Sequence, residues 1–230
     1  MEPKYVHLLQ DRDVKRWYDN VARGSLATAD VYLRRLGNFC SAHNMNPRDL
    51  LSMRDENLQN LLFDYVTSME KDYAGSYIES VIKVIRSWLT FNGKELKVKI
   101  KIKGANDTPS LKDERVPTKE ELKKILLSCD KKTRAACILV AHSGLRIETL
   151  GNYNGLDGLR VKDFPEIIID NEADKVSFAK VPTMIVVRKE LSKAKHQYFT
   201  FLSEEGCEYI KDYLEEKLRS GEELVILLFR

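Results

Sequence analysis

No apolar stretch in the chain approaches the roughly 18 residues needed to span a bilayer. The opening MEPKYVHLLQDRD has neither a signal-type apolar core nor an Arg- and Ser-rich transit composition. No membrane is therefore expected as a partner, and a cytoplasmic location is the expectation. Cysteine is scarce: Cys40, Cys129, Cys137 and Cys207 form no C-x-x-C pair and have no histidine at zinc-finger spacing, so neither a metal site nor a disulfide framework is indicated. They are expected to be buried thiols. There is no internal repeat and no low-complexity tract. A large charge of one sign is also missing, because 38 basic against 35 acidic residues leaves only +3, too little by itself to imply a polyanionic partner.

What is present suits a folded protein. Hydrophobic residues make up 43% and charged residues 32% of the 230, enough to bury a core and too apolar for wholesale disorder. At roughly 100 to 200 residues per domain the length allows one large domain or two small ones, and two fit better. The charge is unevenly placed. Residues 1–105 hold 17 basic and 13 acidic side chains, residues 106–203 hold 17 and 14, and from Glu204 to Glu223 eight carboxylates face three bases. Two basic bodies followed by an acidic segment fit a nucleic-acid binder better than an enzyme for acidic substrates, although solvated surface charge gives a similar pattern.

The first hundred residues read as a helical bundle. After Ser25, an N-cap type, Tyr32, Leu36, Phe39, Cys40 and His43 recur at helical spacing. Asn46-Pro47 begins a second helix. A third runs from about Asp55 with Leu58, Leu61, Leu62, Tyr65, Val66 and Met69 on one face. A fourth carries Ile78, Val81, Ile82, Ile85, Trp88 and Leu89 and stops near Asn92-Gly93. The segment 97–103, KVKIKIK, alternates at period two and puts Lys97, Lys99, Lys101 and Lys103 on one side. It reads equally as an edge strand protected by lysines or as a basic strap along phosphates. The polar stretch 104–117 is the linker, which separates a helical domain over 1–103 from a second domain over 118–230.

The second domain opens on a capping box, Thr118 to Glu121. A buried helix follows from about Lys132 to His142. Strand-like pieces come next at 167–169, 176–178, 184–187 and 197–201, the last two flanking a basic hairpin tip, ELSKAKH. A final helix runs from about Ser203 to Arg219 and has Tyr209, Ile210, Tyr213, Leu214 and Leu218 on one face. The fold class is mainly α with a small antiparallel β-sheet. The apolar end, 223–230, reads as a last strand or packed tail, or else as exposed sequence in need of a partner.

One segment carries chemistry. In AHSGLRIETL an arginine, Arg146, directly follows a buried helix and a glycine turn, so a planar, always-charged fork stands on a rigid base and suits bidentate capture of phosphate oxygens. Read alone, the signal is weak, because an arginine after a glycine turn is usually a surface ion pair. SGLRIETL resembles the first arginine box of the tyrosine recombinases, the phage-integrase-like family. SLATADVYLRRLGNFC resembles that family's core-binding domain, VVRKELSKAKHQYFTFLS resembles its β-hairpin with a catalytic lysine, and FTFLSEE resembles archaeal members most.

The resemblance implies a helical core-binding domain joined to part of a catalytic domain, and double-stranded DNA as partner. It implies chemistry in which a tyrosine attacks a phosphodiester without metal or nucleotide cofactor. Arg146 would clamp the phosphate. Lys193, with Lys195 as runner-up, would protonate the leaving oxygen. Glu148 would be the supporting acid, although it stands two places after the arginine instead of three. Lys97, Lys99, Lys101, Lys103, Arg34, Arg35, Lys195 and His196 would lie near DNA. The second box, H-x-x-R, occurs nowhere: His7, His43, His142 and His196 are followed three places on by Gln10, Asn46, Leu145 and Phe199. Tyr209 and Tyr213 read as core and not as nucleophiles.

The expectation is thus an integrase-like DNA binder, truncated before the second box, that does not cleave DNA alone. A compensating homo-oligomer or docking of the tail is expected with it. The alternatives are a recombinase fragment completed in trans, which leaves open whether the chain acts as an enzyme, and a helical interaction module.

Overall fold

The computed structural model describes residues 4–107, 115–222, 224 and 229. Among these, nine α-helices and four β-strands form, so the chain is mainly α with a small antiparallel component. It divides into two compact units, Met1–Lys112 and Asp113–Arg230, each with its own apolar core.

The first unit is helical: α1 (Arg12–Ala22), α2 (Leu26–Ala42), α3 (Pro47–Ser52), α4 (Asp55–Met69) and α5 (Gly75–Phe91). Side chains fix where the helices start. Asp11 accepts the amides of Asp13 and Val14, Ser25 accepts that of Thr28, and Asn46 and Asp49 form a reciprocal box around Pro47. The sequence reading begins the bundle at Ser25 and misses α1, although Val14, Trp17, Tyr18 and Val21 have helical spacing and belong to the core or pack on it. Trp17 and Trp88 meet edge to face at 5.6 Å. Their indole N–H groups donate to the Ser87 hydroxyl (3.1 Å) and the Pro47 carbonyl (2.9 Å), so burial leaves neither donor orphaned.

The edge-strand alternative for 97–103 is not what forms. The alternation is kept, with Ile100 buried, Ile102 packed on the core, Val98 half-buried and all four lysines exposed. Among the described residues, however, the segment joins no sheet. Its apolar side packs on the helices, and the Lys103 amide donates to Glu70 at 2.8 Å. At Gly75 a Cβ would stand 2.1 Å from the Lys103 carbonyl oxygen, so only glycine admits the segment there.

The second unit comprises α6 (Lys119–Ser128), α7 (Lys131–Ser143), α8 (Ile147–Leu150), β1 (Ile167–Asp170), β2 (Lys175–Phe178), β3 (Thr183–Val187), β4 (Tyr198–Leu202) and α9 (Glu204–Arg219). Thr118 and Glu121 cap α6 reciprocally, and Arg115 adds a bidentate pair to Glu121 at 2.6 Å. That pair, with the Thr118 amide, pulls the Glu121 carboxyl down to about 2. In place of a single small sheet there are two antiparallel pairs, β1–β2 and β3–β4. β3 and β4 run in register from Thr183 opposite Leu202 to Val187 opposite Tyr198. Ile185, Val187 and Leu202 face a core shared with Leu139, Ile210 and Leu214.

Two expectations need correction. Cys40 and Cys207 are buried, but Cys129 is half-buried and Cys137 exposed, because α7 turns Ile138 and Leu139 inward and Cys137 outward. Tyr213 is core, whereas Tyr209 is only half-buried and its ring lies under the Arg134 guanidinium at 5.4 Å. Of the apolar end, Leu224 and Phe229 pack on the second core, with Phe229 stacked on Tyr213 at 5.6 Å. The rest of 223–230, like 108–114 of the linker, lies outside the described residues.

Candidate nucleic-acid interface

Arg146 stands where its sequence context places it, on a turn with little freedom. α7 ends in Gly144, whose φ of 64° is the left-handed conformation that glycine supplies at low cost. Leu145 is buried, Arg146 is the residue before α8, and the Thr149 amide donates to the Arg146 carbonyl at 2.8 Å. With Leu145 and Thr149 packed on either side, the backbone is fixed and the guanidinium projects from it exposed. Among the described residues Arg146 has no ion-pair partner. Glu148 is exposed and makes no hydrogen bond to Arg146. The Ser143 hydroxyl beside this turn is buried with no hydrogen-bond partner among the described residues.

The turn is tied to the hairpin by two contacts. Thr200 Oγ donates to the Ser143 carbonyl at 2.8 Å, and His142 Nδ1 lies 2.6 Å from the Ser203 hydroxyl, which also caps α9. These hold the C-terminal end of α7 against β4. From Thr200 to the last register pair at Tyr198 is two residues, about 7 Å at the rise of a strand. Beyond it lies the tip, 188–197, with Lys193, Lys195 and His196 all exposed.

The tip is built more firmly than its basic sequence suggests. Successive amides, those of Leu191, Ser192 and Lys195, donate to the carbonyls of Arg188, Lys189 and Ser192. Leu191 and Ser192 are buried, so Lys193 emerges directly from an anchored pair. Lys195 takes a left-handed φ of 58°, and His196 Nδ1 lies 3.3 Å from the Ala194 carbonyl.

The anchor is a residue that sequence reasoning missed. Arg188, the first residue of the tip, donates from Nε to Asp163 at 3.0 Å, from both terminal nitrogens to Asp157 at 2.9 Å, and to the Gly158 carbonyl at 2.6 Å. Asp157 also accepts from Arg160 at 2.9 Å. The Arg188 guanidinium, together with the Gly158 amide and Arg160, holds the Asp157 carboxyl well below the usual carboxylate range, and the two aspartates raise Arg188 in turn. Nothing in the local pattern D-G-L-R-V-K-D announces this, because its partner is 25 to 31 residues away.

In the first unit Arg34 is exposed on α2, while the Arg35 guanidinium lies over the Tyr77 ring at 5.8 Å. Lys97 pairs with Asp55 at 3.3 Å across exposed surface. Lys99, Lys101 and Lys103 have no ion-pair partner among the described residues. Thus Arg34, Arg35 and the four lysines belong to one unit, and Arg146, Glu148, Lys193, Lys195 and His196 to the other. Two cavities lie apart from these residues. One of about 470 Å³ in the first unit has Trp17, Tyr32, Lys83 and Arg86 among its lining residues. Another of about 300 Å³ lies between the start of α7 and the end of α9. As for a nucleophile, burial and then the hydrogen bond to Glu205 raise the Tyr209 hydroxyl, which opposes phenolate formation.

No protein-family model matches the sequence, and no curated protein sequence matches it. Among solved structures the chain is similar to one described as XerA recombinase, at 17% identity over 96% of this chain and 69% of that one, with a TM-score of 0.35.

Proposed function

We propose that this chain is an integrase-like DNA-binding protein of the tyrosine recombinase type, one that holds duplex DNA through its phosphates and does not cleave it alone. Arg146 carries the reading. A rigid turn presents its exposed guanidinium, with no carboxylate neutralising it among the described residues, in the unit that also exposes Lys193 and Lys195. A fork of five donors on a fixed base matches the non-bridging oxygens of a phosphate. Lys193, seated on buried Leu191 and Ser192, is the second cation at the same linkage in this proposal, with Lys195 beside it. Glu148 supports Arg146 through the local field only. Arg34, Arg35, Lys97, Lys99, Lys101, Lys103 and His196 supply backbone contacts, which position a protein on DNA without reading its sequence.

Two features of the chain favour holding over cutting. It contains no H-x-x-R, and Tyr209, half-buried on the helix after the hairpin, is engaged with Glu205 and Arg134. The test is a salt titration of duplex binding with the wild type, Arg146→Ala and Lys193→Ala. Affinity falls steeply with salt, and each substitution weakens binding and lowers the log-log slope by about one. A slope near zero, or an Arg146→Ala protein that binds like the wild type, overturns the proposal. On a nicked substrate that traps covalent intermediates no protein–DNA adduct forms, and an adduct would refute the non-cleaving part.

A further inference from the structure

One stripe of α5 is polar where the rest of the helix is core. Lys83, Arg86, Ser87 and Phe91 stand at i, i+3, i+4 and i+8, so they share a face. With Trp17 of α1 and Tyr32 of α2 they line the cavity of about 470 Å³ in the first unit. The inner side of this cavity is rigid. Trp17 is 1% exposed, held edge to face by Trp88 at 5.6 Å and stacked with Tyr32 at 6.1 Å. Its indole N–H donates to the Ser87 hydroxyl at 3.1 Å, so that oxygen accepts from the core side, and its own proton has no acceptor among the described residues. The outer side carries charge. Lys83 and Arg86 are exposed, neither has an ion-pair partner among the described residues, and no carboxylate lines the cavity. Phe91, 41% exposed, adds accessible aromatic surface.

The geometry points to a binding site for a nucleoside 5′-phosphate, with the phosphate on Arg86 and Lys83 and the base against Phe91 and Tyr32. Ser87 donates its free proton to a phosphate oxygen. Cations without counter-charge, a hydroxyl with a proton to give and aromatic surface in one cavity match a ligand that is anionic at one end and planar at the other. Simpler ligands fit less well. An inorganic anion would leave the aromatic surface unused, and an apolar ligand would desolvate two cations without pairing them. A duplex backbone offers phosphates but keeps its bases stacked on one another, so the same surface would stay idle. The eight residues from Lys83 to Phe91 cover about 12 Å of helix, which gives phosphate and base separate places along one stripe. The site lies within the first unit and uses none of the residues assigned to DNA above, so it stands independently of the DNA-binding reading.

The experiment titrates the full chain with AMP by calorimetry, with adenosine, ribose 5-phosphate and inorganic phosphate as separate arms. Tryptophan emission is a second readout, because Trp17 and Trp88 are the two tryptophans of the chain and Trp17 lines the cavity. AMP is expected to bind one to one with a Kd of about 0.1 mM, and adenosine and ribose 5-phosphate each about tenfold more weakly, since each lacks one end of the ligand. Arg86→Ala and Lys83→Ala each weaken AMP about tenfold and leave adenosine unchanged. Phe91→Ala weakens AMP and adenosine alike. These three positions are exposed, and an unchanged melting temperature shows that each variant is folded. Arg146→Ala binds AMP like the wild type, so this site and the DNA-binding reading fail separately. Absence of saturation by either readout up to about 5 mM AMP would overturn the inference. So would inorganic phosphate binding as tightly as AMP, Lys83→Ala and Arg86→Ala proteins that both bind AMP like the wild type, or displacement of AMP by duplex DNA, which would give these cations to the DNA backbone.

Discussion

Arg188 is one guanidinium set between two carboxylates of low exposure, Asp157 and Asp163, whose side chains are 19% and 4% exposed. Removing it leaves charges of one sign without their counterpart in a poorly solvated place. Arg188→Ala is expected to cost about 3 kcal/mol in urea unfolding followed by a probe in 113–230. Lys at this position recovers only part, since one ammonium does not replace a fork. The sign of the pH effect follows from Asp157. Its carboxyl is lowered in the folded state, chiefly by Arg188, so its contribution is complete above the unfolded value of about 3.9 and is lost as pH falls through the lower folded value. Stability therefore declines below about pH 4, and Asp157→Asn flattens that acid limb; a limb identical in the variant would remove Asp157 from it. Arg146 is the opposite case. It has no partner to lose among the described residues, so Arg146→Ala is expected to change stability by less than about 0.5 kcal/mol while it weakens DNA binding. A large loss of stability would make it a structural residue.

At the scale of elements, ends and connections matter more than helix interiors. The Lys94 ammonium donates to the carbonyls of Leu50, Leu51 and Met53 at the C-terminal end of α3, which satisfies acceptors that a helix of only six residues leaves open. Lys94→Met keeps the aliphatic stem and is expected to cost about 1–2 kcal/mol, read as a lower urea midpoint at unchanged slope. The capping box of α6 was legible because Thr118 and Glu121 are three apart, and the box forms as written. In 97–103 the alternation was legible and the strand was not. Period two states which side is apolar, but a strand also needs a neighbour with free backbone groups, and helices stand beside this segment instead. The missed α1 has a different cause: its apolar residues are spread among charges in a first stretch that resembles a polar lead-in.

For the whole molecule, two units with separate cores display cations over much of the chain, and the DNA-binding proposal requires many of them at once. Replacing Lys99, Lys101 and Lys103 by Gln is expected to reduce the salt slope of duplex binding by about 3, at about 0.9 for each phosphate no longer neutralised. An unchanged slope would take the segment off the DNA. These lysines are exposed and their apolar neighbours stay in place, so melting temperature is the control and should hold.

Composition, spacing and caps by themselves determined the helical content, most of the element boundaries, the polar stretch between two basic bodies, and the arginine on a glycine turn, because each is encoded within a few residues of itself. The tertiary structure alone decided that two strand pairs form instead of one sheet and that Arg188 anchors the hairpin tip through partners 25 to 31 residues away. The physical reason is that a hydrogen bond depends on distance in space. Local periodicity fixes which face of an element is apolar, while the partner of a given polar atom is chosen only when the faces have packed.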